Sequence, residues 1–262
     1  MIFLRFFLTA LTMIPIILVM KKSFKIDFKT LLLVIITSLV FITYLKYFFL
    51  GTKFGTAGLG GALVTTLIPI NTFLIMALMF GKKIQRKDIF ALILGAIGVL
   101  TILNIWSFSY EDIFTTHNMY FLFASMLWPI LTIVSSKITH TSPIVFTFYM
   151  YVITTILVLV FFIDFPNIPH EKFDDIFWIN ILCLAVISTT FATTIYFIGI
   201  DKLGTNEVSS FIFLVPFFAI GLSAIFLKEE IGLTMIIGTI LTIISVTILN
   251  DIKIFKKKKI NF

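Results

Sequence analysis

Side chains able to do chemistry are few in this sequence, and most lie at the ends of apolar runs. Acidic residues such as Asp88, Glu207, Glu229, Glu230 and Asp251 sit at such ends, and none is read at the middle of a run. A proton-coupled membrane pathway usually keeps a carboxylate in its interior, so this distribution favours a process that needs no buried acid. Glu207 comes nearest, in the first turn of its run, where a carboxylate stabilises the positive end of a helix. The three histidines, His117, His140 and His170, show no ligand spacing, and Cys183 is the one cysteine. An internal disulfide and a cysteine-based metal cluster are thereby excluded. No glycine-rich phosphate-binding motif is present. No catalytic residue, no metal ligand and no cofactor is expected.

What remains is chemistry of recognition. Lys46 is read as the basic residue inside an apolar run, where a charge is costly and calls for a function. Its position one turn from the run's end also lets its stem reach the headgroups. Asn71 falls at the centre of another run. Its amide must face a neighbouring helix or a cavity, because lipid offers no partner. Hydroxyls and aromatics recur at helical spacing: Ser125, Trp128, Thr132 and Ser135; Thr147, Tyr151 and Thr154; Thr189, Thr193 and Tyr196; and Tyr44 with Tyr47. Such faces turn inward. Together they describe a moderately polar cavity with aromatic walls, with Tyr44, Lys46, Asn71, Trp128, Tyr151, Thr193 and Tyr196 as candidate substrate-binding residues.

The elements that carry these residues are membrane helices. Of 262 residues 60% are hydrophobic and 13% charged, with mean hydropathy +1.13. That leaves too little charge to solvate a globule of this size. About nine apolar stretches are long enough to span a bilayer: 3–20, 30–50, 57–80, 87–106, 118–137, 142–163, 176–200, 206–227 and 231–250. Residues 1–20 lack a small-residue cleavage site and are read as a retained helix. Pro69 and Pro216 lie inside matching helices, each freeing a carbonyl one turn earlier, and are candidate hinges or kinks. Gly58, Gly60, Gly61, Gly95 and Gly98 permit close helix contact.

Positive charge sets the orientation. With the tail of Lys253 and Lys256 to Lys259 in the cytoplasm, most basic loops fall inside. Arg5, Lys53, Lys172 and Lys228 are left on the outer side. The net charge of +7 is absorbed by this pattern and by anionic lipid rather than by nucleic acid. An internal repeat accompanies it. With Pro69 aligned to Pro216, Ala91 falls on Gly238 and Gly98 on Ser245 at one constant offset. The paired helices lie five apart, so the second copy enters the membrane from the opposite side, an architecture of many secondary transporters.

On this background Phe3-Leu4-Arg5-Phe6-Phe7-Leu8-Thr9-Ala10 resembles the second-helix motif of EamA-type transporters in the drug/metabolite transporter superfamily. Gly204 to Pro216 with Leu227-Lys228-Glu229 and Gly238 resembles that family's last two helices, and Thr56 to Pro69 with Phe80-Gly81 the matching part of the first half. Lys82 stands where the family usually has a glutamate. The resemblance implies an all-α polytopic membrane protein, an inverted repeat of two helix bundles. There are four plus five transmembrane helices here, the leading helix of the usual five plus five being missing, either through a start site further upstream or as a true nine-helix variant. The first repeat is expected over 1–110 and the second, with the basic tail, over 111–262. The implied function is secondary transport of a small organic metabolite, amino acid-like or amphipathic, tilted towards export and working by alternating access without a cofactor. A lipid or nucleotide-sugar carrier, a membrane-embedded subunit without transport, and a lipid enzyme are the alternatives. The partners expected are a small-molecule substrate and membrane lipids, with no nucleic acid and a homodimer left open. The location expected is the bacterial inner (plasma) membrane with a cytoplasmic C-terminus.

Overall fold

The computed structural model describes residues 2–54, 57–113, 115–138, 141–162, 173–228 and 232–252. Glu229, Glu230, His140, His170, Lys172 and the basic tail from Lys253 lie outside them. The described residues are helical, with no strand among them. The chain order is α1 (Ile2–Val19), α2 (Phe28–Phe54), α3 (Ala57–Phe80), α4 (Arg86–Ile102), the short α5 (Tyr110–Ile113), α6 (Met119–Ser135) and α7 (Pro143–Phe161). A long rod follows, made of α8 (Asp175–Cys183), a π-helical segment (Leu184–Thr193) and α9 (Thr194–Leu203). Then come α10 (Thr205–Ser210), a 3-10 turn (Phe211–Leu214), α11 (Val215–Leu227) and α12 (Leu233–Leu249).

Six of these stretches are long and apolar enough to cross a membrane by length and composition: Ile2–Val19, Phe28–Phe54, Gly60–Phe80, Pro143–Phe161, Asp175–Leu203 and Thr205–Phe226. Helices α4, α6 and α12 have 17 residues each, the lower end of what a bilayer core requires. Among the described residues each apolar run of the sequence is occupied by a helical stretch. Their outer surfaces carry large apolar side chains such as Val19, Leu78, Phe226 and Leu233, which only a lipid solvent leaves unpenalised. Glycines in the left-handed region end two of them, Gly81 at φ 66° after α3 and Gly204 at φ 106° after α9, where a side chain would be strained.

The two matched prolines have unlike consequences. Pro69 lies within α3, which runs as α-helix on both sides of it. Pro216 lies in the first turn of α11, directly after the 3-10 turn Phe211–Leu214. Lacking an N–H, it cannot close the α-helical bond across that turn, so the chain tightens there and restarts as α11.

The chain divides into two compact units, each drawing on both halves of the sequence. The first unit holds residues Met1–Lys46 and Ile130–Thr205. In it α1 packs on α7 and on the π-helical segment. Its centre is aromatic: the buried Phe6 ring lies 5.3 Å from Tyr151 and 5.5 Å from Phe41.

The second unit holds Tyr47–Pro129 and Asn206–Phe262, and is built around the pair α4 and α12. The two backbones touch. A Cβ added at Gly98 would lie 2.9 Å from the Gly238 carbonyl oxygen, and one at Gly238 would lie 2.5 Å from that of Gly98. Seven residues back along α4 and seven forward along α12, Ser245 Oγ donates to the Ala91 carbonyl at 2.6 Å. In the sequence repeat Ala91 aligns with Gly238 and Gly98 with Ser245. Exchanging each residue for its counterpart therefore turns the Ala91–Ser245 contact into the Gly238–Gly98 contact, the relation that a twofold axis between two helices produces. Phe73, Leu92, Val99, Phe213, Val246 and Leu249 fill the space around the pair. Elsewhere in this unit the Phe121 ring is received by Gly51 and Gly60, whose added Cβ atoms would lie 2.5 and 2.4 Å from it. Gly61 has nothing within 4 Å.

Candidate functional site

The first unit contains the polar cluster, and its organising residue is Arg5. Expected among the charges on the outer side, Arg5 is a half-buried residue in the first turn of α1. Its Nε donates to Thr189 Oγ1 at 2.7 Å, and its guanidinium carbon lies 5.7 Å from the centre of the Phe6 ring. Thr189 is the central residue of the 29-residue rod Asp175–Leu203. The charge is thus held against the middle of a membrane-length helix, although Arg5 itself is near the start of α1. A lone arginine at that depth costs about 2.5–3.5 kcal/mol on insertion scales.

The π-helical segment shapes this contact. Thr189 and Thr190 return their hydroxyl protons to the carbonyls five residues earlier, Leu184 and Ala185, at 2.7 and 2.9 Å. With its proton so used, Thr189 Oγ1 presents lone pairs to Arg5. Helix α1 answers along the same face, where Thr9 donates to Ala185 O at 3.1 Å and Thr12 shares a hydrogen bond of 2.7 Å with Thr190. Wide turns of this kind recur at functional sites.

Four of the expected binding residues gather in this unit. Tyr151, near the centre of α7, is buried, stacks on Phe6 and shares a side-chain hydrogen bond with Thr193. Tyr44 stacks on Phe41 with ring centres 6.4 Å apart, and lies within electrostatic reach of Arg5 and Tyr196. Tyr196 shares a hydrogen bond of 2.9 Å with the buried Thr132. The Thr189, Thr193, Tyr196 stripe thus meets α1, α7 and α6 in turn. One turn beyond Thr132, Ser135 donates to the Thr132 carbonyl at 2.8 Å. Ser135 also lines a cleft of about 250 Å³ with Ser136, Thr141, Phe146, Phe197 and Asp201. Lys46 does not join the cluster: it is an exposed residue of α2, a placement that fits reaching for headgroups.

Asn71, Trp128, Pro69 and Pro216 belong to the second unit. Asn71 Nδ2 donates to Ser125, at 3.2 Å to both the carbonyl and the hydroxyl oxygen. This ties α3 to α6 and gives the amide an interhelical role. We expect Asn71→Ala to lower stability by about 1 kcal/mol, with Ser125→Ala costing less because the carbonyl contact survives. Thermal melts of the single and double variants in detergent check this. A double variant no less stable than Asn71→Ala is the expected result, since both substitutions break the same tie. Glu207 Oε1 pairs with Lys82 Nζ at 3.2 Å, so Lys82 engages the acid at the start of α10 rather than only occupying a loop. Trp128 is half-buried on α6, and Cys183 is exposed.

The sequence carries one signal for Arg5: Ile2, Phe3 and Leu4 precede it and are as apolar as the residues that follow, so the charge lies inside a run and not before it.

Comparisons with known proteins agree with this architecture. Residues 116–251 match the EamA-like transporter family. The chain is 23% identical over 241 residues to the uncharacterized transporter YoaV of Bacillus subtilis (strain 168), covering 91% of this chain and 82% of that protein. It is 23% identical over 210 residues to the uncharacterized transporter sll0355 of Synechocystis sp., covering 74% of this chain and 63% of that protein. A solved structure described as "Crystal structure of protein" superposes with a TM-score of 0.73 at 15% identity, covering 94% of this chain and 85% of that one. At that identity the likeness speaks for the fold. With more than half of its length matched, the chain is an integral membrane protein that belongs to the EamA-like transporter family.

Proposed function

We propose that this chain is a secondary carrier that moves a small organic metabolite, amino acid-like or amphipathic, through the membrane by alternating access. Export is the favoured direction, the bacterial inner membrane the favoured location, and the C-terminus is cytoplasmic. The observation that carries the proposal is the cluster of Arg5, Tyr44, Tyr151, Thr193 and Tyr196, set against the middle of membrane-length helices. Apolar packing alone gives no reason to gather a guanidinium and three phenols among membrane-length helices. Such groups mark solute pathways. Ser135, which lines the cleft, bonds back to the carbonyl of Thr132, the partner of Tyr196. Two inverted repeats, divided near residue 110, supply a rocking mechanism of the kind such carriers use.

Counterflow into liposomes containing the purified chain is the test. A panel of amino acids, nucleosides and amphipathic cations is offered against internal pools of the same solutes. Accumulation of at least one member above protein-free liposomes is expected. Folded protein that accumulates none of them contradicts the proposal. Tyr196→Phe removes the hydroxyl that meets Thr132. It should reduce the transport rate by about tenfold, the effect of one hydrogen bond of ordinary strength, with insertion and melting temperature almost unchanged.

A further inference from the structure

The most exposed energetic question in the molecule is what balances Arg5. Its Nε is committed to Thr189. Among the described residues the ion pairs are Lys82–Glu207, Lys87–Asp251 and Lys202–Asp201, and none of them includes Arg5. The charge is therefore held by one neutral hydroxyl, one aromatic face and the nearby phenols. Dipoles of this kind orient a guanidinium without neutralising it.

We infer that Arg5 is the anchor for a carboxylate carried by the transported solute, the Nη edge of its guanidinium receiving the carboxylate end-on. This deepens the carrier reading above and rests on it. The geometry favours that ligand on three grounds. With Nε used, the two Nη groups remain as a planar pair of donors, the arrangement that matches two carboxylate oxygens. Among the described residues Arg5 is the one cation of the cluster, so a single negative charge is balanced, whereas a phosphate dianion is not. The same charge repels amphipathic cations, which removes them from the substrates. The Tyr44 and Tyr151 rings beside it supply apolar walls for the solute's remaining body. Thr189, held by its own bond to Leu184 O, fixes the direction of the fork.

The test compares each carboxylate with its own carboxamide on the full-length wild-type chain. Amino acids, N-acetyl amino acids and aliphatic monocarboxylates, each beside its amide, are scored by thermal shift and by counterflow. Phosphate monoesters and tetraphenylphosphonium complete the panel. Carboxylates should bind and be carried, and their amides should be about 10- to 100-fold weaker, the loss that accompanies removal of a charged hydrogen-bond partner. Arg5→Lys, which keeps the charge and loses the fork, should fall between wild type and Arg5→Gln in apparent affinity. An amide, a phosphate monoester or the phosphonium carried as well as the acids overturns the anchor while leaving the carrier reading intact. Folded protein that neither binds nor carries any member of the panel overturns both.

Discussion

Gly238→Leu should leave little folded protein. The Cβ alone would lie 2.5 Å from the Gly98 carbonyl oxygen and 2.8 Å from the Ile102 amide nitrogen. Both obstacles are backbone, so no rotamer change relieves them, and α12 must move away from α4. That displacement also opens the Ser245–Ala91 hydrogen bond and the apolar fill around Phe213 and Val246. Overpacking of a tight core commonly costs 1–3 kcal/mol. Here, with two helices forced apart along their length, the cost is at least ~3 kcal/mol. Gly98→Leu should be similarly damaging, because a Cβ there would lie 2.9 Å from the Gly238 carbonyl oxygen and from the Thr242 amide nitrogen, both backbone. Gly221→Leu, where nothing lies within 4 Å, is the matched control and should behave as wild type. Size-exclusion profiles and melting curves in detergent check all three. A Gly238→Leu protein that melts within a degree or two of wild type refutes the close approach of α4 and α12.

Arg5→Met should separate stability from activity. The substitution loses the Thr189 hydrogen bond, worth about 1.5–3 kcal/mol for a charged donor. It also removes the insertion cost of a charge at mid-membrane depth, about 2.5–3.5 kcal/mol. The two nearly cancel, and methionine fills the same space beside Phe6. The melting temperature should therefore be unchanged or slightly higher. Transport should fall by about 10- to 100-fold, because the group that meets the solute is gone. A purely structural arginine gives the opposite pair of results, with lower stability and a transport rate that follows the amount of folded protein.

Much of the fold was legible from the sequence because the bilayer imposes a simple rule. Every apolar run long enough to span had to be helical, and among the described residues each run is helical. The small residues were legible too, since they are needed wherever two backbones meet, and Gly98, Gly238 and Ser245 lie where α4 and α12 touch. The partner of Arg5 was not legible from charge counting, which treats a cation near the start of a run as a flank. Its hydrogen bond to Thr189 joins residues 184 positions apart in the chain, a contact that spacing within one run does not reveal. The same limit applied to Asn71. Its amide needed a partner, and the sequence alone could not say whether that was a solute or Ser125. The unequal effects of Pro69 and Pro216 were also hidden, because a missing N–H leaves open whether the helix absorbs the gap or tightens into a 3-10 turn.

A solute that sits at the Arg5 cluster shields it, and site protection reads this most directly. In a Cys183→Ser background, which removes the exposed native thiol, Thr193→Cys places a single thiol beside Tyr151. Once this variant is shown to retain counterflow, its rate of maleimide labelling is measured with and without a saturating concentration of a solute that it carries. The account predicts that the solute slows labelling severalfold, and that the non-transported amide does not. A labelling rate that is the same with the solute and without it would contradict the placement of the site.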